Sequence, residues 1–209
     1  NSPKPLKKLN FGELLVWITC QNRYFFVILA SYPNKKVMNR LIGRHKEQAK
    51  LQTCMNSERS EFVVVYGRRR IGKTFLVRRF FEDRYAFSFV GKHEMAKDLQ
   101  LQEFAKALQR YSGSAFVPVL KNWTEAFDGL QKLLASVETP GKKVVFFDEM
   151  PWMDTPKSDF VMALENFWNG WANMRDDILF VACGSATSWM VDKLLHNQGG
   201  LFNRITQKI

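Results

Sequence analysis

A chain of 209 residues with 46% apolar and 24% charged residues has the material for one full α/β domain with a core of its own and the composition of an ordinary soluble globular protein. Its net charge of +11 is uneven: ten of the 31 basic residues but only two of the 20 acidic ones fall in the first 50 positions, which offers a surface for nucleic acid or anionic lipid, or a merely solvated extension. Cys20, Cys54 and Cys183 are far apart with no C-x-x-C pair, which argues against a disulfide framework or zinc site and fits a reducing cytoplasm; the apolar runs at 14–20 and 24–32 fall short of the roughly 18 residues needed to cross a bilayer.

Before Pro33 no helical or strand period is visible. The segment after it reads as a continuous series of elements, so residues 1–37 are expected to be an extension and 38–209 the domain, with Met38 as a candidate native start. Leu41-Ile42-Gly43-Arg44 leads into a helix ending near Met55. The β-branched and aromatic run 61–66 reads as a buried central strand. A helix follows over 73–81, a strand over 85–90, and amphipathic helices over 95–111 and 123–137. Lys143 opens a third buried strand, 143–147, after the Pro140-Gly141 turn. A helix is predicted over 158–174, a fourth strand over 178–183, and a last helix over 188–196. Strands alternating with amphipathic helices specify a three-layer α/β fold with a mostly parallel sheet.

Two segments carry chemistry. Gly67-Arg68-Arg69-Arg70-Ile71-Gly72-Lys73-Thr74 matches G-x-x-x-x-G-K-[ST] in full, between a predicted strand and a predicted helix. Such a loop wraps backbone N–H groups around phosphate, which needs glycines tolerant of unusual φ and ψ. Lys73 then reaches the β- and γ-phosphate oxygens of ATP, Thr74 offers a hydroxyl to Mg²⁺, and the helix N-terminus faces the anion. The second segment is Val144-Val145-Phe146-Phe147-Asp148-Glu149. An apolar strand ending in acids puts Asp148 where it can hold the Mg²⁺ shell and Glu149 where it can activate water.

Further candidates are less specific. Ser185, at the end of the fourth strand, is placed to orient the attacking water or to cap the last helix, with Thr187 and Ser188 as rivals. Arg204 is a late cation able to act on a γ-phosphate in its own chain or a neighbour's, or an ordinary surface residue. Arg68, Arg69 and Arg70 can meet phosphate, a partner, nucleic acid or solvent. Trp152, Trp168 and Trp171 read as core packing rather than a base-stacking platform. His93-Glu94 lacks the second histidine of a zinc motif, since Lys97 stands in its place.

Taken in order, L-I-G-R-H-K-E at 41–47, V-V-Y-G-R-R-R-I-G-K-T at 64–74, F-F-D-E-M-P-W-M at 146–153 and A-C-G-S-A at 182–186 resemble the archaeal-type ATPase family. These are AAA-like P-loop proteins related to the STAND and origin-recognition ATPases. The resemblance covers 38–209 and implies the fold type with an additional strand between the two motif strands. It implies Gly43 and Arg44 at the adenine side, 67–74 on the phosphates, Thr74 and Asp148 at Mg²⁺, Glu149 at water, Ser185 as sensor and Arg204 as the late arginine. Members continue into a lid and a C-terminal domain. The expected activity is ATP hydrolysis driving a nucleotide-dependent switch, with a protein partner, an appended domain or a second copy as the responder. The alternative is an ATP-dependent DNA-binding module.

Overall fold

The computed structural model describes residues 19–20, 23–24, 41–185, 188–196 and 199–209. The chain divides into two units, residues 1–40 and 41–209. In the first, only an antiparallel pairing of Thr19–Cys20 with Arg23–Tyr24 is described. The expectations about the apolar runs, the extension and Met38 lie otherwise outside the described residues. Among these, no helix is long and apolar enough to cross a membrane.

The larger unit is built on five parallel strands: β1 (Glu61–Gly67), β2 (Phe87–Val90), β3 (Lys143–Asp148), β4 (Ile178–Ser185) and β5 (Gln207–Lys208). They lie in the order β2-β3-β4-β1-β5. β4 therefore stands between the strand that feeds the glycine-rich loop and the strand that ends in the acids, which is the additional-strand arrangement. The helices are α1 (His45–Met55), α2 (Lys73–Phe81), α3 (Lys97–Ser112), α4 (Trp123–Ser136) and α5 (Phe160–Gly170).

Strand periodicity sorts the core into two layers. Phe62 and Val64, Val145 and Phe147, and Phe180 and Ala182 point to the side of α3, α4 and α5. Val63 and Val65, Val144 and Phe146, and Val181 and Cys183 point to the side of α1 and α2. The first layer is aromatic. Phe62 meets Trp168 at 5.0 Å between ring centroids and Phe180 at 4.9 Å, and Phe147 meets Phe180 at 5.0 Å. Trp168 is thus core, as expected, while Trp171 packs on Phe167 and under the Arg175 guanidinium.

Several elements differ from the sequence reading. β2 starts at Phe87, because the Tyr85 ring turns aside to pack on Phe81 and Phe146. The expected helix over 158–174 is α5 followed by a separate 3-10 turn, Ala172–Met174, with Trp171 at φ −143° between them. At its start, Asp159 serves a different helix. Its carboxylate accepts from Trp123 N, Thr124 N and the Thr124 hydroxyl, capping α4. Burial alone would raise the Asp159 carboxyl, but these hydrogen bonds outweigh it and hold it below its ordinary value. The last helix is mostly a π-helix, Met190–Leu195. The sequence reading missed β5, whose residues are too polar to look like a strand. It is held by Thr206 N to Phe62 O, Ile209 N to Val64 O and Tyr66 N to Ile209 O.

At the edge where the strands begin, Asp177 closes the sheet electrostatically. Its carboxylate takes 2.7 Å hydrogen bonds from Arg175 Nε and Nη2 and pairs with Lys143 Nζ at 2.9 Å. The Arg175 hydrogen bond, against the opposing effect of burial and with help from Lys143, pulls the carboxyl down to about 2. A carboxyl depressed in the folded state stabilises above its ordinary value of 3.8 and loses that contribution as pH falls through about 2. Urea titrations from pH 7 to pH 2 are expected to show a loss of about 1–2 kcal/mol across that window. Asp177→Asn should flatten that slope and lower stability at pH 7 by a similar amount.

Candidate active site

β1 delivers the chain into the glycine-rich loop under tight constraint. Gly67 has φ 151°, and a Cβ there would lie 2.7 Å from Ile71 Cδ1. Gly72 has φ 81° and precedes α2 with no side-chain cap, so the first amides of that helix keep their donors for another acceptor. Arg70 takes a left-handed φ of 63° without being glycine, a strain of about 1 kcal/mol or more that the surrounding loop must hold. The buried Lys73 ammonium lies along the inside of the loop, donating to Gly67 O at 3.1 Å and Arg68 O at 2.8 Å.

The segment before α1 is tied to the same loop. Gly43 and Arg44 are both left-handed, with φ 79° and 53°, and Gln48 Nε2 donates to Gly43 O at 2.5 Å. That turn aims the Arg44 guanidinium at the loop, where it donates to the carbonyl of Ile71. Gly43 and Arg44 are therefore brought beside 67–74.

Asp148, the last residue of β3, is buried, with Oδ1 accepting from Glu149 N at 2.9 Å. Across the ladder the Cys183 thiol also hydrogen-bonds to this carboxylate. Burial first, then the charge and hydrogen bond of Asp148, push the thiol well up, so Cys183 stays a neutral donor. Glu149 follows in a left-handed conformation, φ 47°. Thr74, half-buried in the first turn of α2, completes the set of oxygen donors. A hydroxyl and a buried carboxylate are hard ligands of the kind Mg²⁺ takes alongside phosphate oxygens, so these residues fit the expected cation.

The sequence reading missed three positions that brace the segment around Asp148 and Glu149. Gly91, just past β2, donates to Asp148 O at 2.9 Å, and a Cβ on it would sit 2.4 Å from Glu149 O. Gln100 is fully buried on α3. Its Nε2 donates to Lys92 O at 2.7 Å and Trp152 O at 2.9 Å, while its Oε1 accepts from Lys92 N at 3.2 Å. It stitches the exit of β2 to the turn Met150–Trp152 that follows Glu149. Cys183 is the third. A glycine after a strand was a readable signal; a glutamine between Leu99 and Leu101 was not.

Ser185 pairs with Gly67 across the β1–β4 ladder. Its hydroxyl is buried and has no hydrogen-bond partner among the described residues, so it does not act as a helix cap. The residue borders a cavity of about 210 Å³ that is also lined by Arg69, Glu149, Pro151, Trp152 and Trp189. Trp189 is fixed there by its indole N–H on Asp154 Oδ2 at 2.7 Å, and Trp152 by the His93 ring at 4.0 Å. Trp152 thus walls the site, and the core-packing expectation does not hold for it. The rival Thr187 lies outside the described residues, and Ser188 is exposed.

Arg204 does not join this cluster. It precedes Thr206, whose N–H bonds Phe62 O near the start of β1, while the loop begins at Gly67 at the other end. Five residues of strand, roughly 16 Å, separate the two ends, so the exposed Arg204 does not reach its own chain's loop. A role toward a neighbouring copy and an ordinary surface position are what remain for it.

With this geometry in place, comparison with known proteins decides the family. Residues 41–207 match the model of an ATPase domain predominantly from Archaea. The chain belongs to that family. It is 35% identical over 43 residues to an uncharacterized ATP-binding protein of Methanocaldococcus jannaschii, spanning 21% of this chain and 73% of that one. The fold is similar to the Walker-type ATPase Paby2304 of Pyrococcus abyssi, with TM-score 0.59, 18% identity, and 81% of this chain on 53% of that one. It is also similar to the Aeropyrum pernix Orc1 protein solved in complex with DNA, with TM-score 0.55, 14% identity, and 85% of this chain on 45% of that one. The chain spans about half the length of these structural relatives.

In this ATPase domain Gly91 is expected to be the least replaceable glycine outside the loop. Gly91→Ala must displace the Glu149 carbonyl or the sheet edge and should cost about 1–3 kcal/mol in urea unfolding. Gly170→Ala, at the end of α5 with nothing within 4 Å of the added carbon, should be neutral or gain up to about 1 kcal/mol.

Proposed function

We propose that this domain hydrolyses the β–γ phosphoanhydride of ATP and uses the nucleotide state as a switch. The observation that carries the reading is that Glu149 and Ser185, whose buried hydroxyl has no hydrogen-bond partner among the described residues, border one cavity together with Arg69 of the phosphate loop. The loop amides and the Lys73 ammonium bind the β- and γ-phosphates, and Gly43 and Arg44 border the nucleotide's other end. Thr74 and Asp148 are the residues that would hold Mg²⁺, which supplies charge neutralisation between those phosphates. Ser185 orients a water, and Glu149 takes a proton from it as its oxygen bonds to the γ-phosphorus and the bond to the bridging oxygen breaks. The departing ADP keeps the bridging oxygen.

The switch reading rests on Gln100, which couples the turn after Glu149 to the exit of β2. A change at Glu149 therefore reaches α3 and the surface beyond it. The responder is a protein partner, an appended domain or a second copy presenting Arg204. A reducing cytoplasm suits the buried free thiols of Cys54 and Cys183.

Phosphate-release assays with Mg²⁺ test the chemistry. Lys73→Ala should lose ATP binding and turnover together, whereas Glu149→Gln should bind ATP within a few-fold of wild type and turn over at least about 10²-fold more slowly. Turnover unaltered in Lys73→Ala would remove the reading.

The net charge of +11 and the exposed Arg68, Arg69 and Arg70 favour a second reading, an ATP-dependent DNA-binding module. Fluorescence titration against duplex DNA at 50 and 200 mM salt separates the two. Phosphate contacts require affinity to fall steeply with salt, about tenfold or more if several are made; absence of binding at the lower salt eliminates this alternative.

A further inference from the structure

The three loop arginines are equivalent in composition but not in placement. Arg69 alone of the three lines the cavity shared by Glu149 and Ser185. Its side chain makes no hydrogen bond or ion pair among the described residues. A guanidinium and a carboxylate that border one small cavity without pairing leave the guanidinium's donor fork to a third group between them. Planar paired donors suit phosphoryl oxygens. The walls favour such a contact, because Pro151, Trp152 and Trp189 border it with low-polarity surface, and Trp152 and Trp189 are each held by a neighbour. The other cation that the sequence offered for this task, Arg204, is at the far end of β1.

We propose that Arg69 is an arginine finger built into the phosphate loop. Its guanidinium contacts the γ-phosphoryl oxygens of the ATP bound in its own chain and stabilises the charge that develops there during attack by water. The inference rests on the hydrolytic reading above and deepens it. In the step, the water oxygen bonds to the γ-phosphorus, the bond to the bridging oxygen breaks, and Glu149 receives the water proton. Arg69 keeps its protons and its charge throughout. Each chain is then complete for chemistry at that position without a neighbour's arginine.

The test compares wild type with Arg69→Ala, Arg69→Lys, Lys73→Ala and Arg204→Ala in the full 209-residue chain. Phosphate release is followed over a range of protein concentrations, and binding of fluorescent ATP, and of fluorescent ADP with and without fluoroaluminate, is measured in parallel. Arg69→Ala should lower kcat by about 10²–10³-fold while the Kd for ATP stays within about threefold. It should also lose the tighter ADP binding that fluoroaluminate confers on wild type, and Arg69→Lys should recover part of both. Wild-type turnover per chain should not depend on concentration. The proposal is overturned by a kcat within about threefold of wild type in Arg69→Ala. It is equally overturned by a loss of ATP affinity matching the loss of kcat/KM, or by concentration-dependent turnover that Arg204→Ala abolishes. If wild type and Lys73→Ala both release no phosphate and fluoroaluminate has no effect on either, hydrolysis itself fails and this role falls with it. If wild type hydrolyses ATP and only the Arg69 result is negative, hydrolysis stands and this role alone is rejected.

Discussion

The parallel ladder that β4 makes with both its neighbours is the constraint on which the site depends. Gly67 pairs with Ser185 on one side, and Phe147 pairs with Ala182 on the other. Registers of that kind are fixed by which face of each strand is buried, since a slip of one residue would turn every core side chain outward. The phosphate loop, the acid pair and the Ser185 hydroxyl come from three segments spread over more than a hundred residues of sequence. They share one edge because three strands cannot change register independently.

The two faces of the sheet differ in kind, and the difference shapes the site. The face toward α3, α4 and α5 is filled with interlocking rings, whereas the face toward α1 and α2 is mostly aliphatic. The ring side reaches, at the carboxyl edge, Met150 and Met153, which root the turn after Glu149 in that layer. Gln100 then reaches through that layer as a polar strut. A glutamine without solvent exposure is tolerated there because three backbone groups satisfy it.

Much of this was legible in the sequence where local signals agreed. A β-branched run, a glycine-rich loop and a helix with apolar spacing give β1, the loop and α2 with little ambiguity, and β3 with its acids is equally plain. What escaped was set by tertiary contact. β5 is a short polar edge strand whose only strand-like property is its partner. The second role of Asp159 stayed hidden because the sequence does not reveal that its carboxylate faces α4. Arg204 looked like a site residue by position in the chain, but parallel pairing put it at the wrong end of the sheet. Gln100 braces the turn after Glu149 by bonding backbone groups of Lys92 and Trp152, and no side-chain pattern announces such a contact.

The left-handed backbone at Arg70 and Glu149 has an evolutionary consequence. Both residues hold conformations that glycine or asparagine would occupy with less strain, so replacing either with those types is downhill for folding. At Glu149 the thermodynamics of folding therefore run against the role proposed for its carboxylate, and at Arg70 against keeping its guanidinium on the loop. Neutral drift in a descendant released from the need to cleave nucleotide would be drawn first to these positions, leaving a more stable fold that still binds.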